Sequence, residues 1–196
     1  MVTNRKTPQP WTPIKSAHGP DLKLFKVRHD WMKNPRNNQT MQRVVLESVD
    51  WVNVVALTAD QKVVVVRQFR FGTGTITTEV PGGMVDADED PLSAATRELR
   101  EETGYTSERW EYLGSVEPNP AFMNNLCHHY LAYPAQRTQA LDLGEGEDIA
   151  VTRLTLEEIQ AEIEQGTLRH ALALSALSRV FDLWDRPAGL PGSLKI

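Results

Sequence analysis

Three glutamates, Glu98, Glu101 and Glu102, stand at i, i+3 and i+4 of a segment that reads as a helix. At that spacing their carboxylates share one face, about 5–6 Å apart at the Cβ atoms. Three like charges so close repel one another, which a purely structural helix has little reason to accept. A divalent cation removes the conflict, because hard carboxylate oxygens suit Mg²⁺ or Mn²⁺. Arg97, just before the first of them, would pair with Glu89 or Glu101 and hold the carboxylates in place. The bland alternative is a solvated acidic face. Arg97, Glu89 and the neighbouring glycines at fixed offsets weigh against it.

The element that must carry these groups is marked at both ends. Asp90-Pro91 reads as an N-cap followed by proline at the first helical position, where a missing N–H costs nothing. Gly104 suits a left-handed C-cap. The helix between them spans about fourteen residues, roughly 20 Å, with Leu92, Ala94, Ala95 and Leu99 as its small and apolar contacts. Gly82 and Gly83 precede it in a loop whose backbone must approach the metal closely, which glycine permits.

Around this helix the pattern predicts strands at 22–28, 42–49, 52–58, 62–70, 76–80, 110–116, 128–133 and 149–154. Ala59-Asp60-Gln61 reads as a hairpin turn. Thr155-Leu-Glu-Glu158 is a capping box opening a second helix that Gly166 ends. A third apolar helix is expected over 169–184. Strands packed between the first helix and the later ones make an α/β sandwich. Residues 1–20, polar and rich in proline, read as a mobile or partner-wrapped arm.

Composition narrows the class. The chain has 196 residues, enough for one domain with a real core. Its net charge of −5 argues against electrostatically driven nucleic-acid binding. No apolar run reaches the roughly 18–20 residues that span a bilayer, and the N-terminal segment lacks the apolar stretch of a signal peptide. One cysteine, Cys127, excludes an intrachain disulfide framework and reads as a small apolar residue. The cytoplasm is the expected compartment. His128-His129, without Cys or His partners at ligand spacing, read as ordinary strand histidines.

From Gly83 through Glu89 and Arg97-Glu98-Leu99-Arg100-Glu101-Glu102-Thr103-Gly104-Tyr105, every fixed position of the Nudix pyrophosphohydrolase signature is filled. Val65-Val66-Arg67-Gln68-Phe69-Arg70 and Glu79-Val80-Pro81-Gly82-Gly83 further resemble the ADP-ribose pyrophosphatase and nucleoside diphosphate sugar hydrolase branch. The resemblance covers about residues 22–185. It implies a Nudix α/β/α sandwich with a mixed sheet, residues 51–196, preceded by a small antiparallel strand region within 1–50 that serves dimerisation. It also implies a metal site of Glu98, Glu101, Glu102 and the Gly82 carbonyl, holding Mg²⁺ or Mn²⁺. Arg97 supports the catalytic carboxylates.

The catalytic base implied by the resemblance is a glutamate of the mobile acidic loop 141–148, Glu145 first and Glu147 second. Glu102 is the rival. Arg70 would contact the pyrophosphate through its fork of donors, with a surface ion pair as the alternative, and Glu79 belongs to the same substrate-binding set. Asn119 and Phe122 lie where family members place specificity residues, although Pro118 and Pro120 could simply form a rigid turn. Trp31 and Trp51 are expected to pack in the core or an interface, or to build a partner's base pocket.

The implied reaction is hydrolysis of a nucleoside diphosphate sugar, ADP-ribose first and GDP-mannose close behind, to a nucleoside monophosphate and a sugar phosphate. The implied partners are the nucleotide-sugar substrate and a second copy of the chain, without nucleic acid or membrane. Two rivals stand beside it: hydrolysis of dinucleoside polyphosphates or capped RNA, and a non-catalytic nucleotide-binding module.

Overall fold

A computed structural model describes residues 7–184, which form two compact units. The first comprises the N-terminal residues to Asp50 together with Val116–Leu126. Its strands β1 (Thr12–Asp21), β2 (Lys26–Lys33) and β3 (Thr40–Glu47) form an antiparallel sheet in that order. Arg28 ties the sheet together through ion pairs with Asp30 and Glu47. Trp31 lies beside His29 and under the Lys15 ammonium, 4.1 Å from the ring centroid.

This corrects the sequence reading of the N-terminus. The expected arm is, from Thr12 on, a ten-residue strand, and the strand expected at 22–28 runs instead from Lys26 to Lys33. All ten β1 residues are exposed, so the strand is held by its backbone ladder and carries no buried alternation to be read. Residues 1–6 lie outside the described residues.

The second unit holds a seven-stranded mixed sheet. Its main path runs β10 (Ile149–Leu154), β5 (Val63–Arg70), β4 (Trp51–Thr58), β9 (Cys127–Arg137), β7 (Tyr105–Thr106). Strand β6 (Thr75–Glu79) pairs with β5, and β8 (Trp110–Val116) with β9. Strands β4 and β9 run parallel, while β10·β5, β4·β5, β5·β6 and β7·β9 are antiparallel. The run expected to end at Tyr133 continues to Arg137 because the β4–β9 register slips there, with Thr58 facing Ala135, so Pro134 needs no ladder N–H.

Both faces of this sheet are covered, which is why β4 and β5 read as nearly unbroken valine runs. Val52, Val54, Ala56 and Val64 pack with Ala94, Ala95 and Leu99 of α1 (Pro91–Thr103). Val55, Leu57, Val63 and Val65 pack on the other side with Ile159 of α2 (Leu156–Glu164) and with Ala173, Ala176 and Leu177 of α3 (Ala171–Leu177). Leu92, expected among the contacts of α1, is 40% exposed.

The third helix is shorter than expected. After Leu177 the chain tightens into turns, with Arg179 N–H donating to Ala176 and Val180 N–H to Leu177. That lets Leu183 enter the core and lets Arg179 donate to the Leu113 and Ser115 carbonyls of β8. Among the described residues no helix is long and apolar enough to cross a membrane.

Candidate active site

The site is assembled on α1 and on the loop that precedes it. Asp90 caps the helix by accepting from the Leu92 and Ser93 amides, and Pro91 fills the first position. At the far end Gly104 adopts φ 71°, its N–H bonded to the Arg100 carbonyl. Between these stops Ala94, Ala95 and Leu99 are wholly buried, which presses one stripe of the helix onto the sheet.

Glu102 is 4% exposed and accepts from the Gly82 amide at 2.9 Å. Burial lifts its carboxyl to about 8. The Gly82 amide and Arg70 oppose that rise, while the charges of Glu98 and Glu147 add to it. Glu98 is raised as well, chiefly by burial, with Arg97 opposing and Glu101 and Glu147 reinforcing. Two adjacent carboxylates in a desolvated corner therefore resist becoming negative together.

Arg97 is the organiser. Its Nε and Nη2 bond the two Glu89 oxygens at 3.1 and 2.9 Å, and Nη2 also reaches the Met84 carbonyl at 3.0 Å. Nη1 reaches Glu98 at 2.8 Å and Glu101 at 3.4 Å. Glu101 also takes a bond from Arg100 at 3.1 Å. In return Arg97 holds the Glu89 carboxyl below its ordinary range.

The Gly82-Gly83 loop runs against β4, whose Val52 and Val54 amides donate to the Gly83 and Pro81 carbonyls. A Cβ on Gly82 would stand 2.1 Å from the Val52 carbonyl oxygen, and one on Gly83 2.3 Å from Glu98 Oε1. At Gly82 the neighbour is backbone, so glycine is a steric requirement, whereas at Gly83 it is the end of the Glu98 side chain.

The donor set of Glu98, Glu101 and Glu102, with the Gly82 carbonyl, fits a hard divalent cation in chemistry. The raised Glu98 and Glu102 carboxyls are groups whose charge such an ion would stabilise. As placed, the carboxylates are turned to Arg97, Arg100 and the Gly82 amide. Among the described residues no three acidic, His or Cys side chains converge on one point.

The acidic loop is fastened to the end of α1, with Asp142 N–H donating to the Glu101 carbonyl at 2.9 Å. Within it the Gly144 amide bonds Glu147 Oε2 at 2.8 Å and the Glu147 amide bonds the Gly144 carbonyl at 3.0 Å. That turn brings the Glu147 charge to bear on both Glu98 and Glu102. Glu145 lies on the same turn and is exposed.

Arg70 is paired bidentately with Glu79, Nε to Oε1 at 2.7 Å and Nη2 to Oε2 at 2.5 Å. Glu79 is 2% exposed and also accepts from Thr77 at 2.5 Å. Burial alone would raise its carboxyl, but Arg70, Thr77 and His170 together bring it below the ordinary range. Sequence reasoning did not find Thr77 or His170. Thr77 and Glu79 alternate on β6 and so share a face, which was the available signal.

Asn119 and Phe122 lie in the first unit, where the Phe122 carbonyl accepts from the Leu46 amide at 2.7 Å and the Asn119 carbonyl from Met123 at 2.8 Å. Trp51 opens β4 in the second unit and forms a bridge with Met84. Cys127 is wholly buried and bonds Asn53 Oδ1.

Comparison with known proteins agrees with this architecture. Residues 49–175 match the NUDIX domain. A methanol dehydrogenase activator of Bacillus methanolicus is 34% identical over 144 residues, 73% of this chain and 77% of that one. An ADP-ribose pyrophosphatase of Bacillus subtilis (strain 168) is 30% identical over 129 residues, covering 65% and 70%. The crystal structure of an ADP compounds hydrolase superposes with a TM-score of 0.77 over 90% of this chain and 95% of its own, at 22% identity, and shows the shared fold. The chain belongs to the Nudix family of pyrophosphohydrolases, in the branch represented by the ADP-ribose pyrophosphatases.

Proposed function

We propose that this chain hydrolyses the pyrophosphate bond of nucleoside diphosphate sugars, ADP-ribose foremost, with Mg²⁺ or Mn²⁺, releasing a nucleoside monophosphate and a sugar phosphate. The observation that carries the reading is the pair of half-buried Glu98 and buried Glu102 beside Arg97, with the Glu147 charge acting on both. Glu98, Glu101, Glu102 and the Gly82 carbonyl would hold the cation. When bound, it neutralises phosphate charge and lowers the pKa of a coordinated water.

The chain's own groups have separable tasks. Arg97 fixes the rotamers of Glu89, Glu98 and Glu101. Glu147, by its placement, is the first candidate to take the proton of the attacking water, ahead of Glu145. Arg70 contacts the diphosphate, aimed from behind by Glu79. A homodimer formed through the first unit accompanies this reading. It is supported by β1, an edge strand exposed along its whole length with Ile14 55% exposed.

The test is a panel of ADP-ribose, GDP-mannose, ADP-glucose, UDP-glucose, diadenosine polyphosphates, NADH and dATP with Mg²⁺ or Mn²⁺, products identified. Turnover concentrated on nucleotide sugars, yielding monophosphate and sugar phosphate, supports the reading. Hydrolysis of none of them overturns it. The relative named as a methanol dehydrogenase activator favours a second reading, action on a partner dehydrogenase. Adding the chain to an alcohol dehydrogenase assay, with Glu102→Gln as control, separates the two. Stimulation that survives the substitution belongs to binding, and stimulation that disappears belongs to hydrolysis.

A further inference from the structure

Behind Arg70 lies an arrangement that neither the cassette nor the acidic loop explains. The Glu79 carboxylate is buried and nearly saturated. Its Oε1 takes Arg70 Nε and Thr77 Oγ1, and its Oε2 takes Arg70 Nη2. His170 Nδ1 also faces Oε2, at 3.5 Å. That nitrogen is itself buried and makes no hydrogen bond in its present geometry, although Glu79 stands before it.

His170 occupies the N-cap of α3 but its side chain caps nothing. Ser, Thr, Asp or Asn would serve a helix start better. The segment leading to it is laced to β6, the strand that carries Glu79. The Thr78 amide donates to the Thr167 carbonyl at 3.3 Å, and Arg169 Nη2 donates to Thr75 Oγ1 at 3.2 Å. Thr75 is in turn the register partner of Arg70. The α2–α3 connection thus supports the strand pair from which Arg70 projects.

We infer that His170 is a positioning residue: its Nδ1–H closes onto Glu79 Oε2 and holds that carboxylate where it keeps Arg70 directed at the substrate's diphosphate. The inference rests on the reading of Arg70 as a phosphate contact. Burial keeps the ring neutral, with the Arg70 charge adding to that effect against the pull of Glu79, so the imidazole serves as a one-proton donor. A distance of 3.5 Å is long for a hydrogen bond. Such contacts are commonly long in unliganded sites and tighten in the substrate complex. A fixed donor behind Glu79 acts on substrate affinity more than on the chemical step, because Arg70 meets ground state and transition state alike.

The experiment is steady-state hydrolysis of ADP-ribose with Mg²⁺ by the full chain and by His170→Asn, His170→Leu, Arg70→Gln and the His170→Leu/Arg70→Gln double variant. Asn presents an amide N–H near the place of Nδ1, and Leu presents none. Expected are a KM raised about tenfold in His170→Leu with kcat within about twofold, and a KM within about threefold of the native value in His170→Asn. In the double variant the two KM effects should fall well short of multiplying. An unchanged KM in His170→Leu, equal losses in the Leu and Asn variants, or fully multiplicative effects would each overturn the inference. An unchanged KM in Arg70→Gln would remove the phosphate-contact reading and the inference with it, leaving the hydrolase assignment standing. Should His170→Leu fail to fold, His170→Gln, whose donor reaches the place of Nε2 instead, takes its role against His170→Asn.

Discussion

Gly83 and Glu98 face each other so closely that a methyl group on Gly83 would stand 2.3 Å from the Glu98 Oε1 oxygen. The contact is with the far end of a side chain, which can swing away. At Gly82 the corresponding clash, 2.1 Å, is with the Val52 backbone carbonyl, which cannot move without moving β4.

The two glycines should therefore fail in different ways. Gly83→Ala is expected to displace the Glu98 carboxylate and lower kcat on ADP-ribose by about 10- to 100-fold while the melting temperature stays nearly native. Gly82→Ala is expected to cost roughly 2 kcal/mol or more of stability. Thermal melts beside turnover measurements check both. Equal melting losses would mean that the Gly83 methyl cannot be absorbed by the side chain.

Glu147 and Glu145 make a second contrast. Both are exposed, but through the turn closed by the Gly144 amide the Glu147 charge acts on Glu98 and Glu102. Glu147→Gln should lower kcat by about 10²- to 10⁴-fold with KM little changed, the range for loss of a general base. Glu145→Gln should cost less than about fivefold. Side-by-side single-turnover rates decide it, and the reverse ranking would assign the base to Glu145.

How much of this was legible in the chain depends on how local each determinant is. The ends of α1 follow from Asp90, Pro91 and Gly104, which act within a few residues of themselves. The Glu98–Glu101–Glu102 face follows from helical period alone. Strand β1 was missed because its contribution is a backbone ladder with no buried side chain to alternate. The pairing of Arg70 with Glu79 depends on the β5–β6 register, which sets Thr75 opposite Arg70 and Glu79 opposite Val66. His170 reaches Glu79 because the α2–α3 connection is laced to β6, a long-range fact with no local signature.

Arg97 offers a test of organisation as distinct from charge. Its fork engages both Glu89 oxygens while Nη1 reaches Glu98 and Glu101. A lysine keeps the charge but not the planar fork. Arg97→Lys should therefore lose most of what Arg97→Ala loses, about 10- to 100-fold in kcat. Near-native turnover in Arg97→Lys would show that charge alone suffices. Raising Mg²⁺ in the assay should recover part of the loss if loosened carboxylates bind the cation less tightly.

His129 gives the fold a pH dependence that arises outside the hydrolytic machinery. It is wholly buried on β9, neither ring nitrogen has a hydrogen-bond partner, and burial, with the charges of Arg179 and His128, holds its pKa down to about 4. The unfolded chain takes up this proton at the ordinary value of 6.5, well before the folded state does. The stability from a neutral His129 is thus complete above about 6.5 and is lost as pH falls toward 4, on the order of 3 kcal/mol over that window. Replacing it by an apolar residue of similar size removes an unpaired polar group and leaves no partner stranded. His129→Leu should consequently melt within a few degrees of the native chain at pH 7.5 and above it at pH 5. Parallel slopes of melting temperature against pH for the two proteins would mean that acid sensitivity resides elsewhere.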